Sequence, residues 1–519
     1  MKQIDLNPQE VTALLERAEK VLDQSDYELI KAMVDAIGLL SQSVDEKATA
    51  IKRLLRMLFG ASTEKMKDLL KETKKDVVPA AEAKPGHGRN GSASYTGAPR
   101  IKTPHPALKA GDPCPECPKG KVYLYEPPGV IVRFTGVAPL SATVYELEKL
   151  RCNLCGAVFT AAPPENICPE KYDESAAAMI AVLKYGSGFP FHRIEKLQES
   201  LGIPLPASTQ WDILEKRARG PYLAWQEMTR HAAQGELFHN DDTTMKILDL
   251  LKEKNPARKG VYTTGILSVT GERKIALFFT GRKHAGENLL KLLEERHDYL
   301  GPPIQMCDAL SRNIPAGFEI ILANCLTHGR RNFVEAINHF PDETRYVIGE
   351  IAVVYKNDEE ARQRNLPPHE RLAFHQEKSG PAMERLKKWF SDQIEQKNIE
   401  PNSGLGKAAS YMLKHWDALT LFLRVPGAPL DNNLCERALK KVILHRKNSL
   451  FYKTEFGALI GDLFMSLIHT CNLGGENPFE YLKALQKHAP AVAAAPGNWM
   501  PWNYRDHLPD NSNCLSPKN

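Results

Sequence analysis

Long apolar runs are missing from this 519-residue sequence. No uninterrupted apolar stretch approaches the roughly 18 residues that are needed to cross a bilayer. The first residues carry Asp5 and Glu10 where a secretory signal peptide needs an apolar segment. These absences exclude membrane-spanning and secreted classes, and we therefore expect a cytoplasmic protein with no membrane partner.

A large net charge is missing as well. The 68 Lys and Arg residues are balanced by 63 Asp and Glu residues, which leaves +5 at pH 7. So small a charge does not indicate a nucleic-acid partner, and any DNA-binding surface must therefore be local. The charged share of 25% and the hydrophobic share of 42% are near the averages of globular proteins, which excludes bulk disorder. At roughly 100 to 200 residues per domain, the length predicts several domains.

Residues 1–75 are predicted to form a coiled coil. Between residues 30 and 58, apolar residues recur in alternating steps of three and four, which is the heptad pattern of helices that pair. The pattern predicts a homodimer or a higher oligomer, although a plain amphipathic helix packed on its own chain would show it as well. Residues 76–106 are rich in Pro, Ala and Gly and are predicted to be a linker, whose excess of basic residues would also suit contact with phosphates.

The ten cysteines include two CxxC pairs. Disulfides are rare in a reducing cytoplasm, and each pair can place two thiolates on one side of a tight turn, as tetrahedral Zn²⁺ coordination requires. Strand-like runs at 121–125, 130–134 and 144–150 lie between the pairs, so we predict a zinc ribbon over residues 107–165. The predicted ligands of this structural Zn²⁺ are Cys114, Cys117, Cys152 and Cys155. Four unrelated thiols are the alternative, and a redox role fits less well because no thioredoxin-like βαβ pattern surrounds the pairs.

A helical pattern covers residues 166–235. It is interrupted by glycine and proline at 202–206, and Ser208 is well placed to cap the helix that follows. This arrangement predicts a helix-turn-helix unit whose second helix would bind DNA. Ordinary packing of short helices explains the same pattern equally well.

From residue 237 onward the pattern changes to extended runs. The predicted elements are strands at 241–248, 261–269 and 274–280, a helix at 286–296, a strand that ends at 307–308, a strand at 318–323 and a helix at 328–338. This order is that of the ribonuclease H-like fold, a mixed sheet with helices on its faces. We therefore predict a multi-domain α/β protein with a ribonuclease H-like catalytic core.

Two acids lie at positions that this fold brings together. Asp241 is on the first strand and Asp308 ends the fourth, and those two strands are neighbours in a ribonuclease H-like sheet. Phosphodiester chemistry with two divalent cations requires oxygen ligands held in this way. Glu436 is the best candidate for the third acid, because Asp431 or Asn432 can cap a helix that carries it inward.

A local basic region surrounds Glu436. Six basic residues stand against two acids between residues 431 and 453. The predicted DNA contacts in this region are Arg437, Lys440, Lys441, Arg446 and Lys447. A solvated helix face is the alternative, but the position beside a predicted metal site favours contact with DNA phosphates.

Further motifs are spread along nearly the whole chain. They are LFGASTEK at 58–65, KYG at 184–186, PFHR at 190–193, CLTHGRRNF at 325–333, DNNLCER at 431–437 and RKNSLF at 446–451. Together with the two CxxC pairs, they resemble the motifs of the DDE transposases of the insertion sequence 66 family. The last two motifs are long and specific.

The resemblance implies that Asp241, Asp308 and Glu436 form a DDE triad that binds two Mg²⁺ (or Mn²⁺) ions. It implies a helical insertion over 344–425 between the two parts of the core, 236–343 and 426–475, followed by a C-terminal tail over 476–519. It also implies cleavage at the ends of a mobile element by metal-activated water, and attack of the freed 3′-hydroxyl on target DNA. Small accessory transposition proteins and a bacterial cytoplasmic location, on the nucleoid when DNA is bound, belong to the same expectation.

Several roles stay open at this point. The family usually has Asp-Glu-Thr at the first acid, so either Asp241 or Asp242 could face the metal here. Arg330 and Arg331 are predicted to contact DNA phosphates, and His328 is either part of the site or a core histidine. Asn432 and Asn433 belong to the motif of the third acid. A DNA-binding regulator that no longer cuts, and a ribonuclease H-like nuclease without strand transfer, are the two rival functions.

Overall fold

A computed structural model describes residues 170–254 and 256–509, with short segments at 109–113, 121–122, 138–151 and 158–162, residue 164, and parts of 17–34. Residues 26–28 and 30–34 are helical. Most of the predicted heptad pattern, the predicted linker and the four cysteines of the predicted zinc ribbon lie outside the described residues. The chain divides into two compact units, one of which is residues 63–139.

Antiparallel pairing flanks both CxxC pairs. In the smaller unit, Pro113 and Lys121 form an isolated antiparallel bridge on either side of the first pair. In the larger unit, strand β1 (Lys149–Arg151) pairs with β2 (Val158–Thr160) on either side of the second pair. The strand predicted at 144–150 is wrong for its first five residues, since the structure has strand only from Lys149.

Most of the larger unit is helical in the part that the structure describes, and several of its helices begin at a side-chain cap or at a proline. Their bounds are α1 Glu174–Ala181 (continued by a π-helical turn, Val182–Gly186), α2 Phe191–Ser200, α3 Ala207–Lys216, α4 Arg219–Ala233, α5 Leu248–Leu251, α6 Ala285–Leu293, α7 Leu326–Ala336, α8 Pro341–Gln363, α9 Pro368–Lys378, α10 Gly380–Glu395, α11 Gly404–Lys414, α12 Trp416–Leu419, α13 Asn433–Ser449, α14 Glu455–Gly474, α15 Pro478–Lys487 and α16 Ala489–Ala494. The helices α8 to α12 fill the region where the helical insertion was predicted.

A five-stranded mixed sheet forms the centre of this unit. Its strands are β3 Leu237–Thr244, β4 Tyr262–Thr270, β5 Arg273–Gly281, β6 Ile304–Cys307 and β7 Ile321–Asn324. They lie in the order β5-β4-β3-β6-β7, in which β4 is antiparallel to both its neighbours and β3, β6 and β7 are parallel. The predicted neighbourhood of the first and fourth strands is therefore confirmed.

The helix α14 covers the β5 edge of the sheet, and a row of its polar side chains bonds to that strand. Asp462, Ser466 and Thr470 accept hydrogen bonds from the backbone N–H groups of residues 280, 278 and 276 of β5, at 2.6, 3.0 and 3.1 Å. Four residues of helix rise about 6 Å and two residues of strand about 6.8 Å, so the two spacings nearly match. These hydrogen bonds satisfy edge groups that would otherwise invite pairing with another strand.

By length and composition, α14 is also apolar enough to cross a membrane. Two thirds of that apolar window is buried inside the protein, and its polar side chains are engaged by β5. These contacts are those of a core helix.

The helices before the sheet include the predicted helix-turn-helix. The second helix begins at Ala207 with Pro206 in the capping position, so the prediction that Ser208 caps it is wrong. Trp211 on this helix packs edge-on against Phe456 of α14, with ring centroids 6.2 Å apart. At least part of the predicted recognition helix is therefore used for packing within the chain.

Candidate active site

The register of β3 and β6 brings Asp241 and Asp308 together. Leu237 pairs with Ile304 and His239 with Met306, an offset that is the same at every pair. Two residues further along, the same offset aligns Asp241 with Asp308, on the same face of the two parallel strands. The side chains meet there, because the Asn313 amide donates to Asp308 Oδ1 at 2.5 Å and to Asp241 Oδ1 at 3.4 Å.

Asn313 was not singled out from the sequence, yet it is completely buried beside both acids. Its backbone carbonyl accepts hydrogen bonds from Asn240 Nδ2 and Gln305 Nε2, both at 2.7 Å. Asn240 and Gln305 are themselves fully buried neighbours on β3 and β6, joined by a 2.7 Å hydrogen bond. The loop after β6 is thus locked to the two strands that carry the acids, which fixes where the Asn313 amide points.

Glu436 reaches the same end of the sheet from the first turn of α13. That helix packs over β3 and β4, where Gly265 lies opposite Asp241 in the strand register. A Cβ at Gly265 would stand 3.0 Å from Leu439, and the Cys435 thiol donates to the Gly265 carbonyl at 3.4 Å. The missing side chain at Gly265 therefore lets α13 approach closely enough to bring Glu436 toward the two aspartates.

Asn432 lies in the capping position of α13, but its side chain bonds to β3. Its Nδ2 donates to the Asn240 carbonyl at 3.1 Å, and its Oδ1 accepts from His239 Nδ1 at 3.1 Å. Asp431 Oδ1 accepts from the backbone N–H of Asn433 instead, at 3.1 Å, while Asp431 Oδ2 accepts from its amide. Burial lowers the pKa of His239 to about 4, so its imidazole is neutral. These contacts tie the start of the Glu436 helix to the strand of Asp241.

The electrostatics distinguish Asp241 from its neighbour Asp242. Burial, together with the negative charges of Asp308, Asp242 and Glu436, raises the pKa of Asp241 to about 7. The side chain of Asp242 is 2% exposed and pairs with His284 at 2.9 Å and Arg312 at 3.5 Å. Successive strand residues point to opposite faces, so only Asp241 shares a face with the other two acids.

His328 lies in the first turn of α7 and faces Glu436, with 3.8 Å between Nδ1 and Oε1. Cys325 precedes the same helix, and one ligand atom each from Cys325, His328 and Glu436 lie within 4.8 Å of one another. Burial raises the pKa of the Cys325 thiol to about 11, so it is protonated at neutral pH. Of the two interpretations of His328, the geometry favours a position at the site over one in the core.

The basic residues predicted to contact DNA divide into two groups. Arg437, Lys440, Lys441 and Lys447 are exposed, and their spacing places them along one face of α13. Arg446 is half-buried and bonds to Thr243 Oγ1 at 3.1 Å and to Thr244 Oγ1 at 2.7 Å at the end of β3.

The two arginines of α7 are less accessible. Arg331 is half-buried and Arg330 is only 8% exposed. Little of Arg330 is therefore available to a DNA phosphate, while Arg446 stabilises the contact between strand and helix. The remaining predicted site residues, the four cysteines, lie outside the described residues.

Comparison with known proteins decides the family. The profile described as "Transposase IS66 family" matches residues 170–459, more than half of the chain and all of the sheet with its acid-bearing end. This chain belongs to the IS66 family of transposases. The family predicted from the sequence motifs is thereby confirmed.

Three relatives of this transposase come from Sinorhizobium fredii (strain NBRC 101917 / NGR234), and all carry the description "uncharacterized protein". The protein y4hP is 27% identical over 379 residues, covering 69% of this chain and 67% of its own length. The protein y4qI is 28% identical over 379 residues, covering 67% and 66%. The protein y4jD is 31% identical over 188 residues, covering 36% of each chain. The chain thus spans between about one third and two thirds of these relatives.

Proposed function

We propose that this transposase cleaves the ends of an insertion sequence and transfers the 3′-hydroxyl ends into target DNA, with Asp241, Asp308 and Glu436 as its DDE triad. The observation that carries the proposal is the convergence of these three carboxylates, whose like charges raise the pKa of Asp241. Buried like charges destabilise one another unless a cation or proton joins them. Such a cluster is therefore suited to binding divalent cations.

The topology of the sheet supports a ribonuclease H-like core. Its five strands follow the order 3-2-1-4-5 when numbered from β3, and only the second runs against the others. The helical region α8 to α12 falls between β7 and the Glu436 helix, as expected of an insertion in that core.

The donor set fits Mg²⁺ or Mn²⁺. Carboxylate oxygens are the ligands that these hard cations prefer, and Asp241, Asp308 and Glu436 would hold two ions. When bound, the ions supply an activated water and stabilise the oxygen that leaves phosphorus. The protein supplies the geometry: Asn313 sets the separation of the aspartates, and Asn432 orients the start of α13.

The exposed face of α13 would bind the DNA backbone next to this site. Lys440 lies one helical turn beyond Glu436 on the same side, and Lys447 lies two turns further. Phosphates held by these lysines would pass directly over the acids. Lys441 and Arg437 extend the same positive surface.

Other parts of the chain would serve DNA recognition and assembly. We infer a zinc ribbon at the two CxxC pairs, DNA contacts by the α2–α3 unit, and a homodimer or higher oligomer through the N-terminal heptads. Membership of the IS66 family leads us to expect accessory transposition proteins and a cytoplasmic location as well.

The proposed function can be tested with the full-length protein, Mg²⁺, a labelled DNA that carries the element end, and a target plasmid. We expect the wild type to cleave and join, and Asp308→Ala and Glu436→Ala to do neither. Asp298→Ala removes an exposed acid outside the site and is the matched control. If either triad variant still joined ends to target, the assigned site would be wrong. Cleavage without joining would favour the nuclease, and binding without cleavage the regulator.

A further inference from the structure

A second set of ligand-type side chains lies next to the three acids. Cys325 is completely buried at the start of α7, His328 follows one turn later, and Glu436 projects from α13. Their thiol, imidazole and carboxylate atoms lie within 4.8 Å of one another. This set differs from the acid cluster, because it contributes sulfur and nitrogen as well as oxygen.

Two of these atoms are buried without a hydrogen-bond partner in the described part of the chain. They are His328 Nδ1 and Glu436 Oε1, and the 3.8 Å between them is too long for a hydrogen bond. Burial of unpaired polar atoms is costly, and native proteins nearly always satisfy them. One ion bound between the two atoms would satisfy both at once.

The surroundings of the Cys325 sulfur suit a metal-bound thiolate. The backbone N–H of Asn432 donates to it at 3.2 Å. N–H donors stabilise negative charge on the atom that accepts them. A divalent cation would therefore displace the thiol proton to solvent and form the metal–sulfur bond in a place already prepared for an anion.

We propose that Cys325, His328 and Glu436 form a site for Zn²⁺ or another thiophilic divalent cation. Three protein ligands from sulfur, nitrogen and oxygen match the usual ligation of such ions. Mg²⁺ does not favour sulfur or nitrogen ligands, so it is confined to the acids. The two kinds of metal are therefore separated by ligand chemistry and share only Glu436.

The shared ligand makes the site regulatory, a consequence that rests on the proposed function. A carboxylate bound to Zn²⁺ beside Cys325 is withdrawn from the cations at Asp241 and Asp308. We therefore expect Zn²⁺ to inhibit DNA cleavage supported by Mg²⁺, and Cys325→Ser to relieve this inhibition.

Binding is tested with Co²⁺, which replaces Zn²⁺ and absorbs strongly when a thiolate is bound. Full-length wild type and Cys325→Ser are titrated in parallel, so absorption from the CxxC pairs is common to both. We expect the wild type to bind one further Co²⁺ with a sulfur-to-cobalt charge-transfer band that Cys325→Ser lacks. His328→Gln should weaken this binding at least tenfold, whereas Asp308→Asn should retain the band. Identical titrations of the wild type and Cys325→Ser would overturn the proposal.

Two further measurements keep the outcomes distinct. Circular dichroism melts establish that Cys325→Ser is folded, and His328→Gln tests the site with the thiol in place. If the wild type binds the additional Co²⁺ but does not cleave DNA, the proposed function fails while the metal site stands. If Zn²⁺ inhibits the wild type and Cys325→Ser at equal concentrations, the regulatory role of the site is wrong.

Discussion

Two buried aspartates in this protein have similarly raised pKa values but opposite kinds of neighbouring group. Burial raises the pKa of both Asp241 and Asp462 to about 7. Asp462 accepts hydrogen bonds from the backbone and the hydroxyl of Thr280, both at 2.6 Å, and these contacts favour its charged form. Asp241 instead faces Asp308 and Glu436, whose charges favour its neutral form. A raised pKa therefore does not by itself identify a functional acid. What distinguishes the two acids is whether their neighbours are negative charges or hydrogen-bond donors.

The largest expected difference between these aspartates is in stability. Asp462→Ala leaves the Thr280 N–H unpaired, removes one partner of its hydroxyl and opens a cavity beside β5, so we expect a loss of about 2 to 4 kcal/mol. Asp241→Ala removes like-charge repulsion, so its stability should be equal to or above that of the wild type. The difference in stability between the two variants is measured by thermal melting without divalent cations, at about pH 7.5. Equal destabilisation by both would contradict the distinction.

The pH dependence separates the two sites further. Both acids have a folded pKa above the unfolded value of 3.8, so the folded state binds more protons between about pH 4 and 7. Each acid therefore contributes stability at low pH that is lost as the pH rises to about 7. Relative to the wild type, Asp241→Asn and Asp462→Asn should each gain melting temperature above pH 7. Buried neutral histidines such as His239 act in the opposite direction, which is why variants are compared with the wild type at each pH.

A divalent cation should then act on one site alone. At pH 8 (about one unit above both pKa values), Mg²⁺ should raise the melting temperature of the wild type and of Asp462→Asn, but not of Asp241→Asn. Equal stabilisation of all three proteins would place the cation elsewhere.

A smaller effect is expected at Asn313, whose amide bridges the two aspartates. Removal of its amide in Asn313→Ala should weaken Mn²⁺ binding roughly 10- to 100-fold, as is usual when a group that orients metal ligands is lost. Titration followed by the Mn²⁺ electron paramagnetic resonance signal gives the affinity directly. Asn288→Ala removes another half-buried amide, which bonds to Thr264, and provides the control. Unchanged affinity in Asn313→Ala would mean that the strands alone position the acids.

The smallest effect concerns positive charges, where Arg446 is engaged within the protein and Lys447 faces solvent. Lys440→Ala and Lys447→Ala should each reduce the slope of log K against log salt for DNA binding by about 1, since each removes one phosphate contact. Lys388→Ala, an exposed lysine on α10, should leave the slope unchanged. Arg446→Ala should lower the melting temperature and leave the salt slope nearly unchanged. A full effect of Lys388→Ala on the slope would indicate that DNA binding is not confined to α13.

Much of the core could be predicted from the sequence because its signals are local. Runs rich in strand-forming residues and the turn at Gly271 predict the β4–β5 hairpin to within one residue at each end. The contacts of Asn313 and Asp462 could not be predicted, because their partners are brought together only by the sheet and by α14. The predicted cap at Ser208 was wrong because Pro206 occupies the capping position and Ser208 already lies in the first turn of the helix.

The sequence by itself determined the family and the acids that are available, because motifs and strand periodicity are properties of neighbouring residues. Only the tertiary structure decided which of two adjacent residues with the same charge takes part in the site. Asp241 and Asp242 point to opposite faces of β3, and the partners on each face decide that one joins an acidic cluster and the other pairs with His284 and Arg312. Arg446 and Lys447 diverge in the same way around α13. The physical reason is that the sequence sets which chemical group each position carries, whereas the fold sets the partners of that group and, through them, its pKa.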